Sequence, residues 1–285
     1  MENEPLVSVL MTAYNREKYI FEAIQSVIAS TYRNWELIIV DDCSIDATFK
    51  IATEFAKNDS RISVFVNETN LGDYPNRNHA ASLARGEFII YVDSDDKILP
   101  DGIKCIVQSM LLFPNASFGM YSTSNGNPFE LQSVDAIKKH FFANPFLIVG
   151  PGGTIQRRSF FKEISGYPIK YGPANDMYYN LKVCCFSSIV MLPFEFMYYR
   201  RHDGQEINNA SSYLYNNYCY LKDVVAELPL PLTVHEKEWI NKKNKRRFSV
   251  NITKYFLKTL SVSKTRYALK MASFTVRDFL EGIFH

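Results

Sequence analysis

The stretch Phe88–Pro100, FIIYVDSDDKILP, restricts the fold most, because an unbroken apolar run stops at three carboxylates within four residues. Phe88, Ile89, Ile90, Tyr91 and Val92 are aromatic or β-branched, the make-up of a strand buried on both faces of a mostly parallel sheet. Asp93, Asp95 and Asp96 then stand where that strand leaves the core. In open α/β sheets this carboxyl edge is where ligands bind. Clustered carboxylates repel one another, and a divalent cation carrying a phosphorylated substrate is one way to keep them ionised and close. The plainer alternative is an acidic turn whose aspartates cap the next helix. This run alone does not choose between them.

The chain before it repeats one plan. Val7–Met11 is a short apolar run that ends at Thr12-Ala13-Tyr14-Asn15, and Ile20, Ala23, Ile24, Val27 and Ile28 follow at helical spacing. Trp35–Val40 is a second buried strand ending at Asp41-Asp42, with Ser44 or Asp46 placed to cap a helix carrying Ala47, Ile51 and Phe55. Ile62, Val64 and Val66 mark a third strand, followed by a polar loop, Asn67–Asn76, and a short Ala-rich helix to Arg85-Gly86. Strands alternating with helices predict an α/β fold, a doubly wound, mostly parallel sheet with helices on both faces. The first turn holds no Gly-x-Gly-x-x-Gly and no Gly-Lys-Ser/Thr loop occurs, which argues against dinucleotide redox chemistry and ATP or GTP hydrolysis. Substrate phosphates must then be neutralised in another way, and a metal is the expected one.

Charge is distributed unevenly. The net charge is +2, yet Glu236–His285 holds 12 Lys/Arg against 4 Asp/Glu, so the preceding part is acidic. A basic tail suggests an anionic contact, here a membrane surface or a charged lipid-linked substrate; no nucleic acid partner is expected. No apolar stretch is long and charge-free enough to span a bilayer, and MENEP is unlike a signal peptide, so a cytoplasmic protein is expected, with peripheral attachment to the inner face of the membrane through 236–285. The five cysteines have no paired CxxC spacing, so neither a disulfide framework nor a zinc site is indicated.

Val7–Asn15 (VSVLMTAYN), Trp35–Ser44 (WELIIVDDCS), Asn70-Leu71-Gly72 with Arg77-Asn78, Gly86-Glu87-Phe88 and Tyr91–Asp96 (YVDSDD) together resemble the family 2 glycosyltransferases of the GT-A fold, clearly to about residue 110 and more loosely to about 205. The resemblance implies an inverting, nucleotide-sugar-dependent enzyme of bacterial surface-polysaccharide synthesis, such as capsule or lipopolysaccharide. It places Thr12, Tyr14 and Asp41 around a uracil-like ring, which suits a stacking phenol and a carboxylate that accepts from a ring N–H. Tyr14 as core filling, and Asp41 or Asp42 as a cap, remain open alternatives. Arg77 takes the position that approaches the diphosphate, and Asp93 and Asp95 are the paired acids of the metal motif. Asp95 and Asp96 lie nearest to ribose and a Mn²⁺ or Mg²⁺ ion, without a choice between them as direct ligand.

On the acceptor side the resemblance covers Gly150–Ser159, Gly166-Tyr167-Pro168 and Gly172–Met177, where Asn175 stands in place of the family's usual Glu and Asp176 keeps the general-base position. A plain N-cap remains the alternative for Asp176. Arg200–Gln205 resembles the closing Arg-x-His region, with His202 as a metal ligand or phosphate donor, or merely structural, and Arg201 as a diphosphate contact or not. The expected layout is a catalytic domain, 1–210, with a nucleotide-binding half to 110 and an acceptor half from 111. A basic helical extension, 211–285, follows; it lies on a membrane or packs on the domain. The implied partners are a nucleotide-sugar donor and a saccharide or lipid-linked acceptor. A nucleotidyltransferase and a non-catalytic sugar-nucleotide or polysaccharide-binding module are the alternatives, and donor turnover separates them.

Overall fold

The computed structural model describes residues 4–202 and 210–284; Asp203, Gly204 and Gln205 of the Arg-Arg-His run lie outside them, as do the first three residues of MENEP. The first elements follow the pattern just read: β1 (Val7–Ala13), α1 (Ile20–Ile28), β2 (Trp35–Asp41), α2 (Thr48–Asn58), β3 (Ile62–Val66), α3 (Asp73–Leu83) and β4 (Phe88–Tyr91). Then come β5 (Lys97–Ile98), α4 (Gly102–Leu112), β6 (Phe118–Tyr121), β7 (Phe129–Leu131), α5 (Ser133–Phe142), β8 (Thr154–Arg157), α6 (Arg158–Glu163), α7 (Asn175–Phe186), β9 (Ile189–Leu192) and β10 (Met197–Tyr198). Four helices close the described chain: α8 (Ala210–Glu227), α9 (Val234–Thr259), α10 (Val262–Met271) and α11 (Val276–Phe284). None of the described helices is long and apolar enough to cross a membrane.

The eight-stranded sheet has the order β3-β2-β1-β4-β8-β6-β9-β7, and β10 pairs with β5 in a separate ribbon. β1 pairs in parallel on both sides, Val7 level with Trp35 and with Phe88, and Val7, Val9, Leu10 and Met11 are completely buried, as a central strand requires. The chain steps outward from β1 to β2 to β3 and then crosses back to β4 on the other side. Right-handed crossovers therefore put α1 and α2 on one face and α3 on the other. They also leave a reversal of strand order at β1, the place where such sheets bind ligands. β4 pairs antiparallel with β8, and this join carries the sheet into its second half.

Two boundaries differ from the sequence reading. α3 starts at Asp73, inside the stretch read as a loop, because Pro75 falls in the first helical turn, where a missing N–H costs nothing. Gly72 before it has φ +88, a left-handed conformation that favours glycine. The aromatic run Phe194–Tyr199, read as a strand, contributes only the two residues of β10.

The described residues divide into two compact units. One comprises those up to 132 with 148–167 and 187–201; the other comprises 133–147, 168–186 and those from 202 onward. Parts of the half read as acceptor-side thus pack with the terminal helices. In this second unit Tyr218 stacks on Phe248 at 4.8 Å, and Phe274 meets both edge-on. A capping box formed by Thr233 and Glu236 starts α9. α11 approaches α9 so closely at Gly282 that a Cβ there would lie 2.4 Å from Ser249 Oγ, and Lys245 bridges to Asp278 and Glu281 beside it.

His140 on α5 carries a pH dependence of stability. Its Nδ1 accepts from the backbone N–H groups of Phe146 and Leu147, so the folded form needs this nitrogen unprotonated. Burial, with Arg247 adding to it, pushes the imidazole down to about 4. The neutral ring's contribution is complete above the unfolded value of about 6.5 and is lost as pH falls towards 4, about 2 kcal/mol of it by pH 5. Denaturant melts of the wild type and of His140→Asn should diverge between pH 6.5 and 5, the wild type losing about 2 kcal/mol relative to the variant, because every other titrating group is common to both.

Candidate active site at the carboxyl edge of the sheet

The loops leaving β1 and β2 are built as one unit. Asn15 and Cys43 both adopt left-handed backbone, with φ 53 and 65. The Asn15 N–H donates to Ser44 Oγ (2.8 Å), the Ile45 N–H donates to Asn15 Oδ1 (3.0 Å), and the Arg16 N–H reaches Thr48 Oγ1 (2.7 Å). These ties leave Tyr14 46% exposed, so its ring is not core filling. Thr12 is half-buried, and its carbonyl accepts from Ser94 Oγ (2.8 Å), which joins the first loop to the acidic turn after β4.

The neighbouring aspartates of β2 divide the work. Asp42 spends both oxygens on the loop before α3, accepting from Asn67 Nδ2, the Leu71 N–H and the Gly72 N–H at 2.7–2.8 Å. It caps neither α2 nor α3, whose N-termini have no side-chain cap, and instead holds the loop that leads into α3. Asp41 is 1% exposed; its Oδ1 accepts from the Ser44 N–H, and its Oδ2 is buried with no hydrogen-bond partner. An unpaired buried carboxylate oxygen is costly, and a ligand N–H would satisfy it.

Two carboxylates of the acidic turn pair with arginine side chains from elsewhere, and the third, Asp96, is held by an arginine's backbone N–H. Arg77, 6% exposed on α3 and not on the surface, donates through Nη1 to Asp93 Oδ1 (2.7 Å) and through Nε to Asp73 Oδ1 (2.8 Å), over the rings of Tyr91 and Tyr74. Burial opposes its charge, but Asp73 and Asp93 outweigh burial and keep the guanidinium protonated. Arg16 Nε donates to Asp95 Oδ2 (3.1 Å). The Arg200 N–H donates to Asp96 Oδ1 and its Nε to the Asp95 carbonyl, both at 2.9 Å, while Nη2 holds Glu22. Burial and the charge of Asp93 push Asp96 up to about 7. Arg16 was not singled out in the sequence, and Arg200 was named only as the first residue of the Arg-x-His region, with no role of its own. Arg16 lies one residue beyond the first motif, so adjacency was its only signal. Arg201 is exposed.

Among the described residues no group of three or more His, Cys, Asp or Glu is arranged to hold a metal ion. Cations carried by nucleotide phosphates need only one or two protein carboxylates, the phosphates and water completing the shell. The donor set at Asp95 and Asp96 fits that mode, and crowding that raises the Asp96 carboxyl is what a cation would relieve.

Asp176 and His202 belong to the other compact unit. There Asn175 ties the turn into α7, accepting from the Tyr171 N–H (2.9 Å) and donating to the Gly172 carbonyl (2.8 Å). The end of the helix is thus held by Asn175, and Asp176 is the second helical residue, half-buried, with Oδ1 accepting from the Met177 N–H. Tyr171 and Tyr178 stack at 5.0 Å, and their hydroxyls donate to Asp223 and Glu227 on α8, which fixes this turn from the side.

Residues 8–165 match the family model described as glycosyl transferase family 2. A Bacillus subtilis protein named as a teichuronic acid biosynthesis glycosyltransferase, TuaG, is 40% identical over 108 residues, 38% of this chain and 43% of TuaG. The Escherichia coli UDP-Glc:α-D-GlcNAc-diphosphoundecaprenol β-1,3-glucosyltransferase WfgD is 42% identical over 124 residues, 43% of this chain and 48% of WfgD. The chain thus matches less than half the length of these relatives. Residues 1–349 of Staphylococcus aureus TarS, crystallised with UDP-GlcNAc, share the fold with a TM-score of 0.73 at 24% identity, covering 97% of this chain and 81% of that one.

The double ion pair of Arg77 is open to a direct test. Arg77→Met keeps much of the volume but strands Asp93 beside Asp95 and Asp96, and it should lower stability by about 3 kcal/mol in chemical denaturation. A change below about 0.5 kcal/mol would show that the pair is not structural.

Proposed function

Since the chain belongs to glycosyltransferase family 2, we propose that it moves a sugar from a UDP-sugar to a saccharide or lipid-linked acceptor in surface-polysaccharide synthesis. The observation that carries this reading is the buried, unpartnered Oδ2 of Asp41 beside the exposed ring of Tyr14, at the reversal point of the sheet. A carboxylate acceptor at that place favours a base with a ring N–H, which uracil has, and opposes cytosine, whose ring nitrogen would bring a lone pair. The names of WfgD, with UDP-Glc as donor, and of the TarS complex with UDP-GlcNAc support a uridine nucleotide. WfgD's diphosphoundecaprenol acceptor supports the lipid-linked choice.

In this mechanism Tyr14 and Thr12 seat the base and Asp41 receives its N–H. Asp93 and Asp95 lie towards ribose and diphosphate, and Arg77 supplies fixed positive charge at the same strand end. Asp176 takes the proton of an acceptor hydroxyl as its oxygen attacks C1 of the sugar. The bond from C1 to the diphosphate oxygen breaks on the opposite face, which inverts the anomeric configuration. A Mn²⁺ or Mg²⁺ ion held by Asp95 and Asp96, with His202 as a further ligand, would supply Lewis-acid neutralisation of the departing diphosphate.

Calorimetric titration with UDP, GDP and CMP, with and without Mn²⁺, tests the nucleotide. UDP should bind in a metal-dependent way, and Asp41→Ala should weaken it by about tenfold to a hundredfold, the worth of a hydrogen bond to a charged group. If no nucleotide binds with metal present, the enzymatic reading fails. Asp176→Asn should abolish sugar transfer while UDP affinity stays within about twofold. Retained transfer would remove Asp176 from the role of base.

A further inference from the structure

The last three helices leave an unusual amount of apolar surface uncovered. Of the 29 exposed large hydrophobic side chains among the described residues, 11 lie between Val250 and Phe284, about an eighth of the chain. Leu257, Leu260, Val262, Val276 and Phe284 are each more than 60% exposed. Between α9, α10 and α11 lies a cavity of about 390 Å³ lined by Ile252, Phe256, Thr265, Leu269, Phe274 and Phe279, among others. The apolar faces of these helices are thus not consumed by packing on one another.

The charge around this surface is of one kind. Lys254, Lys258, Lys264, Arg266 and Lys270 each lie within two positions of an exposed large hydrophobic residue, against only Asp278 and Glu281, which are tied to Lys245 and Arg277. Leu260 adds a second, independent sign. It ends α9 in the left-handed conformation, φ 47, where Asn or Gly would be less strained, and it is 77% exposed. Its N–H closes the helix on the Phe256 carbonyl (2.7 Å), so the turn is kept although the side chain is left in solvent.

We propose that α9–α11 form a docking face for an anionic phospholipid bilayer, with Leu257, Leu260, Val262 and Val276 entering the acyl boundary and the neighbouring Lys and Arg meeting the headgroup phosphates. Long cationic side chains reach from apolar surface to phosphate, which is the pattern of helices lying in a membrane interface. A second copy of the chain fits less well. A two-fold contact would set like-charged lysines against one another, and lysine is depleted from such interfaces. The face does not rest on the transfer reaction, so it stands or falls separately from it.

Flotation of the intact protein with vesicles tests this. Phosphatidylcholine vesicles containing phosphatidylglycerol should carry the protein, pure phosphatidylcholine should not, and salt should weaken the binding. Lys258→Gln/Lys264→Gln/Lys270→Gln should lower partitioning by roughly a hundredfold, from about fivefold per lysine. Leu260→Asn should lower it by about tenfold while leaving the melting temperature unchanged or raised, since Asn suits the left-handed turn. Equal binding to neutral vesicles, or no binding to anionic ones, would overturn the proposal. So would an oligomer in sedimentation that Leu260→Asn dissociates, which would assign the face to a second copy.

Discussion

Three aspartates crowded into the end of one strand repel one another, and the first unit answers with arginines: the guanidiniums of Arg77 and Arg16 pair with Asp93 and Asp95, while the Arg200 backbone N–H holds Asp96. Arg16 comes from the loop after β1, Arg77 from α3 and Arg200 from the segment after β10, separated from their partners by 79, 16 and 104 residues. Each contact therefore fastens a distant piece of chain to the end of β4. What looks locally like an electrostatic liability acts as a junction where three loops converge, and the same junction bounds the space at the reversal of strand order. The field at that strand end is already partly balanced by arginines.

The inner strands were readable because burial on both faces leaves a continuous apolar run, as in Trp35–Val40 and Phe88–Val92. The second half of the sheet was not, since β6, β7 and β8 are only three or four residues long, too short to show a period. α3 was shortened on paper by Pro75, whose position in the first turn is a property of the three-dimensional register. The paired aspartates Asp41 and Asp42 were legible as a site, yet which of them binds backbone and which keeps a bare oxygen depends on where residues 67–72 fold back. The arginine partners were least legible of all, because ion pairs across such sequence distances leave no local pattern. At Asn175 the reverse holds: the departure from the family's usual Glu has a visible structural use in the turn from Tyr171 to Gly172.

The two units differ in what holds them. The first is fastened by a fully buried parallel strand and by charge pairs at its edge. The second relies on aromatic stacking, Tyr218 on Phe248 and Tyr171 on Tyr178, reinforced by tyrosine hydroxyls donating to carboxylates. Burial and the carboxylate contacts raise the Tyr171 and Tyr178 hydroxyls well above their ordinary range, so these donors keep their protons throughout physiological pH.

The close approach at Gly282 has a consequence for the tail. A nine-residue helix such as α11 is too short to persist alone in water, so it exists only while it lies against α9. Two residues that line the apolar cavity, Val276 and Phe279, belong to α11. Cavity and helix are therefore coupled: a side chain at position 282 that pushes α11 off α9 also moves one wall of the cavity, and whatever fills the cavity helps to hold the terminal helix in place.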